Sequence, residues 1–97
     1  MILLVTQRPA PPGEIVTLRA EGVDTVLEAL KAQPYERIVV DGLDAGINPF
    51  DLARRLREYD APPLVLAGEL RDDQRFWAER NGCHRANDLD EALSLEI

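Results

Sequence analysis

The stretch "RIVVDGLDAG", residues 37–46, decides how this chain is read. Ile38, Val39 and Val40 follow one another without the polar alternation of a half-exposed strand, so they predict a central strand covered on both faces. Asp41 ends the run, and two glycines and a second acid, Asp44, follow it. In sheets built from helical crossovers, functional groups gather at the carboxyl ends of the strands. Asp41 is therefore either a reactive carboxylate or the polar stop of a buried strand.

Outward from this stretch, Ile2 to Val5 and Leu64 to Ala67 repeat the same apolar signature. A weaker strand, Ile15 to Leu18, follows "RPAPPG", whose prolines suit neither a helix interior nor a ladder. "CHRA" offers a poor fifth strand. Helical spacing lies between these runs. "VDTVLEALKA" puts Val23, Val26, Leu27 and Leu30 on one stripe, with Asp24 expected as the N-cap. "INPFDLARRLREY" has Asn48 as cap, Pro49 at the first helical position and Asp51 near the positive end of the helix dipole, with Phe50, Ala53 and Leu56 inward. A third helix runs from about Arg71 to Arg80 and stops at Asn81-Gly82. In "NDLDEALSLEI", Asp88 followed by Glu91 forms a capping-box pattern. Alternation of this kind predicts one α/β domain over 1–97, a doubly wound parallel sheet with right-handed crossovers.

Composition narrows the function. With 97 residues, 45% apolar and 30% charged, the chain suits a single folded domain. A net charge of -7 disfavours nucleic acid and anionic membranes, and a neutral or basic protein surface is the expected partner. Cys83 is the only cysteine, which excludes an internal disulfide and fits a reducing, cytoplasmic setting. "MILLV" is broken by Thr6, Gln7 and Arg8, too short for a signal-peptide core or a membrane span. No Walker or dinucleotide glycine spacing is present, so a bound nucleotide is not expected.

On "RIVVDGLDAGINPFDLARRLRE", "PPLVLAGE" and "AERNGC", the chain resembles the receiver domain of bacterial two-component response regulators, from Ile2 to about Leu93. The resemblance implies a flavodoxin-like sheet and matches Asp41 to the phosphoacceptor aspartate that ends the third strand. The supporting groups of the family depart. Where it has two adjacent acids for Mg²⁺ after the first strand, this chain has Thr6 and Gln7. Where a Ser or Thr ends the fourth strand, it has Ala67, and no lysine follows "CHRA"; Lys31, the only lysine, falls on the first helix. A phosphate on Asp41 would lack the cations that clamp its oxygens. Asp44, if within about 4 Å, would repel each added charge by roughly 4 kcal/mol at an effective dielectric near 20. The reading is a pseudo-receiver that binds protein without phosphorylation and needs no cofactor. The alternative is a receiver phosphorylated on Asp41, with Mg²⁺ weakly assisted by Asp44.

The family also has a helix between its first two strands, replaced here by a short proline-rich crossover that spans roughly 20 Å at about 3.1 Å per residue. That loop (Arg8, Pro9, Pro11, Pro12), the sheet face expected to lie open beside the first strand, and Trp77 are the candidate surfaces for a protein partner or a second copy. The resemblance implies that Phe76 faces inward and Trp77 lies on the flank. Arg54, Arg55 and Arg57 lie near Asp51, Glu58 and Asp60 and read as a solvated, salt-bridged face. Cys83 and His84 lack a third ligand or an acidic orienter and read as structural.

Overall fold

The apolar runs become the middle of a sheet. The computed structural model describes residues 1–9, 12–19, 21–42 and 46–96. In it, β1 (Ile2–Val5), β2 (Ile15–Leu18), β3 (Arg37–Asp41), β4 (Leu64–Ala67) and β5 (His84–Ala86) form one five-stranded sheet in the order β2-β1-β3-β4-β5. Every pairing is parallel. Central strands β1 and β4 are buried throughout, as continuous apolar runs require when both faces are covered. Among the described residues between β1 and β2 there is no helix.

Four helices complete the chain: α1 (Val23–Ala32), α2 (Pro49–Leu56), α3 (Asp72–Arg80) and α4 (Leu89–Ser94). Strand side chains alternate between faces, and the core divides accordingly. On one face Leu3, Val5, Ile38, Val40, Leu64 and Leu66 pack with Val26 and Leu27 of α1, Leu52, Ala53 and Leu56 of α2, and Ala78 of α3. On the other, Ile2, Leu4, Val39, Val65 and Ala67 pack with Ala92, Leu89 and Leu93 of the short α4. The sheet thus carries three helices on one side and one on the other, which is compatible with a doubly wound arrangement.

Three local expectations need correction. The face beside β1 is not open: Ile2 and Leu4 are 7% and 0% exposed, since Leu89, Leu93 and the following Leu95 join their cluster. Only β2 remains partly exposed along its whole length. Asp24 does not cap α1; Gly22 is the N-cap, with no side-chain bond, and Asp24 stands in the first turn, where the helix dipole still favours it. Phe76 points outward, 54% exposed, because Ala78 is the residue that α3 buries. The other caps behave as expected. Asn48 accepts from the Phe50 and Asp51 amides, with Pro49 at the first position, and Asp88 accepts from the Glu91 amide. Among the described residues no helix is long and apolar enough to cross a membrane.

Candidate functional site

The register of the sheet brings the site together. Val5 pairs with Val40, so the next residues along, Thr6 and Asp41, lie side by side at the carboxyl end of adjacent strands. By strand alternation both point to the face that carries only α4. Thr6 is 1% exposed and donates its Oγ1 hydrogen to Asp41 Oδ2 at 2.7 Å. Two residues on, the chain turns: the Arg8 amide donates to Thr6 Oγ1 at 3.0 Å, and the Arg8 side chain folds back onto the same carboxylate. Its Nε reaches Oδ2 at 2.7 Å and its Nη2 reaches Oδ1 at 2.6 Å. This is a two-pronged guanidinium–carboxylate pair, the geometry in which such bonds are strongest.

Glycines make the floor beneath it. Gly42 follows Asp41 with φ of 85° and donates its amide to the Ala67 carbonyl at 2.8 Å. Gly68, φ 123°, follows β4 and donates to the Ala86 carbonyl at 3.0 Å. A Cβ on Gly68 would stand 3.7 Å from the Gly42 Cα, which is ordinary contact; the positive φ, not lack of room, makes glycine the fitting residue there.

The Asp41 side chain is 9% exposed and that of Arg8 64%. Burial by itself raises the pKa of a carboxyl. Here the hydrogen bonds from Arg8 and Thr6 and the attraction of the Arg8 charge outweigh it and hold the Asp41 carboxyl below its ordinary value. Asp41 is therefore a charged but neutralised group. The expectation that it lacks cationic company is wrong in one respect: neither a lysine nor a pair of acids is supplied, yet Arg8 supplies a cation from the loop itself. Sequence reading placed Arg8 on a partner-facing loop and did not pair it with Asp41. The available signal was that β1 and β3 are neighbours in a sheet of this kind, which sets the residues after one beside the end of the other.

The described residues do not fit the Mg²⁺ that the receiver resemblance implies. The positions that should offer acids hold uncharged Thr6 and Gln7, and both Asp41 oxygens already accept from Arg8. Among the described residues no group of three or more His, Cys, Asp or Glu is placed to hold a metal. Asp44 and Pro11 lie outside the described residues. Two cavities flank the ion pair and share Arg8, Asp41 and Gly68 in their walls. One, about 310 Å³, runs over Thr6, Gln7 and Gly42; the other, about 470 Å³, runs over Asn87, Asp88 and Asp90. A separate groove of about 420 Å³ lies towards the opposite strand ends, between Leu27, Leu30, Tyr35 and Tyr59, far from this chemistry.

The remaining candidates fall elsewhere. Pro9 and Pro12 are exposed on the loop, and Trp77 is 50% exposed on α3. The arginine face is solvated but only partly paired as expected: Arg54 pairs with Asp51 at 2.8 Å, Arg55 turns instead to Asp24 at 3.3 Å, and Arg57, the C-cap of α2, donates to the Arg80 carbonyl, with no ion pair to Glu58 or Asp60 among the described residues. Cys83 is buried, which pushes its thiol up to about 11 despite the nearby charge of Arg57 and favours the protonated form at neutral pH. Compared with known proteins, the chain matches no family model, no curated protein and no solved structure.

Proposed function

We propose that the chain is a pseudo-receiver: a flavodoxin-like domain of bacterial regulation that binds protein in the cytoplasm without phosphorylation and performs no covalent chemistry. The strand order β2-β1-β3-β4-β5 supports the flavodoxin-like reading, since that order belongs to the doubly wound folds with a switch point at β1 and β3. Asp41 stands at that switch point. The observation that carries the proposal is the closure of Asp41 by Arg8 and Thr6. A carboxylate that takes a phosphoryl group needs an oxygen free for in-line attack and cations around the transferred group. Here three protein donors already hold the two oxygens among the described residues, taking most of the roughly four acceptor sites of the carboxylate, so an incoming phosphoryl group competes with a charge-assisted pair in a mostly buried place.

Incubation with acetyl phosphate and Mg²⁺, followed by intact-mass measurement, tests this. The expected spectrum shows the unmodified chain alone. An adduct of one phosphoryl group that disappears in Asp41→Asn would replace the proposal with the phosphoacceptor reading.

A further inference from the structure

Helix α3 offers the one outward-facing aromatic pair of the described chain, and its setting points to what covers it. Phe76 and Trp77 are 54% and 50% exposed and meet edge to face, ring centroids 5.5 Å apart at 75°. The Arg80 guanidinium carbon lies 5.9 Å from the centre of the Phe76 ring. At 100° per residue, Asp73, Phe76, Trp77 and Arg80 fall within an arc of about 100°, opposite the buried Ala78. The stripe therefore reads acid, aromatic, aromatic, base along the helix. Asp73 is 65% exposed, and its contacts to the Arg71 guanidinium are long, 3.3 and 3.4 Å, so little is lost in re-pairing it.

Such a stripe is complementary to itself when reversed. A two-fold axis passing between Phe76 and Trp77 sets α3 antiparallel to a second α3. Phe76 then lies opposite the partner's Trp77, and Asp73 lies opposite the partner's Arg80, twice over by symmetry. A parallel pairing instead opposes like charges. We infer that the chain self-associates through α3, the Asp73–Phe76–Trp77–Arg80 stripe of one copy packing antiparallel on the same stripe of another. This goes beyond the pseudo-receiver reading and stands whether or not Asp41 accepts phosphate.

The association is weak. Aromatic side chains bury about 150–250 Å² each when fully covered, so four half-exposed rings supply roughly 400 Å² across the pair. That falls short of the area of stable interfaces, so a weak, concentration-dependent association is expected.

Sedimentation velocity over a wide concentration series, up to several hundred micromolar, reads such an association. The wild-type chain should pass from monomer to dimer, with the emission of Trp77, the single tryptophan, shifting to the blue as it does so. Trp77→Ala should weaken the dimer at least about tenfold, as loss of a central aromatic anchor does. Asp73→Arg and Arg80→Asp, each alone, should also weaken it. Mixed in equal amounts, those two single variants should form a mixed dimer, because every opposed pair in the mixture is then of opposite charge. Thermal melts matching the wild type separate loss of association from loss of fold. A chain that stays monomeric throughout, a dimer that Trp77→Ala leaves unchanged, or a mixture that associates no better than either variant alone would overturn the inference. The acetyl phosphate experiment fails or succeeds separately from all of these.

Discussion

Leu66→Ala is expected to lower stability by about 3 kcal/mol, within the range of about 2–5 for emptying a buried leucine site. Leu66 has no exposed surface, sits on β4 between β3 and β5, and faces the three-helix side of the sheet. Its neighbours are strand and helix side chains fixed by their own packing, so the space left behind collapses only in part. Domains of this size have only about 5–15 kcal/mol in total. The loss should move the melting temperature by roughly 15 °C and the urea midpoint in proportion. Phe76→Ala is the contrast: a larger side chain, but outward on α3, and expected to change stability by no more than about 0.5 kcal/mol. Equal losses in the two variants would mean that Phe76, not Ala78, faces the sheet.

Arg8→Ala is expected to cost about 1–2 kcal/mol at neutral pH, although its side chain is well exposed. What it leaves behind is the reason: a carboxylate 9% exposed, keeping, among the described residues, just the bond from Thr6. Solvent at the guanidinium screens the pair, which keeps the figure below that for breaking a fully buried one. The effect depends on pH with a definite sign. In the wild type the folded carboxyl lies below its unfolded value of about 3.9, so its stabilisation is complete above that pH and fades as the pH falls through the lower folded value. In the variant, burial is opposed by Thr6 alone. The stability gap between the two chains should thus be wide at pH 7 and narrow at strongly acidic pH, measured by urea unfolding at each. A gap of the same width at both would assign the loss to packing of the arginine stem and not to the ion pair.

Much of the fold was legible because it rests on local chemistry. Runs such as Ile2 to Val5 and Leu64 to Ala67 have no polar alternation to permit an exposed face, and Asn48-Pro49 and Asp88 mark helix starts through bonds within a few residues. The misreadings have a shared origin in tertiary placement. Phe76 and Ala78 both suit a helix, and which of them faces the sheet depends on the rotation of α3, which the weakly amphipathic "DDQRFWAER" does not dictate. The cover over Ile2 and Leu4 comes from the far end of the chain. At the site, Asp41 was visible as a strand-end acid, but its partner was not. Arg8 and Asp41 are 33 residues apart, and their meeting needs the β1–β3 register together with the turn in which the Arg8 amide bonds Thr6. The missing family groups predicted a carboxylate without support; the structure provides a different support, built from the loop that stands where the resemblance expects a helix.

The central claim, that Asp41 is a permanently paired structural charge and not a group held ready for chemistry, is tested most directly by following its side-chain carboxyl carbon by NMR as a function of pH, in the wild type and in Arg8→Ala. The wild-type midpoint should lie below the ordinary aspartate value and should rise in Arg8→Ala, where burial is no longer outweighed. A wild-type midpoint at or above the ordinary value, unmoved by Arg8→Ala, would contradict the account.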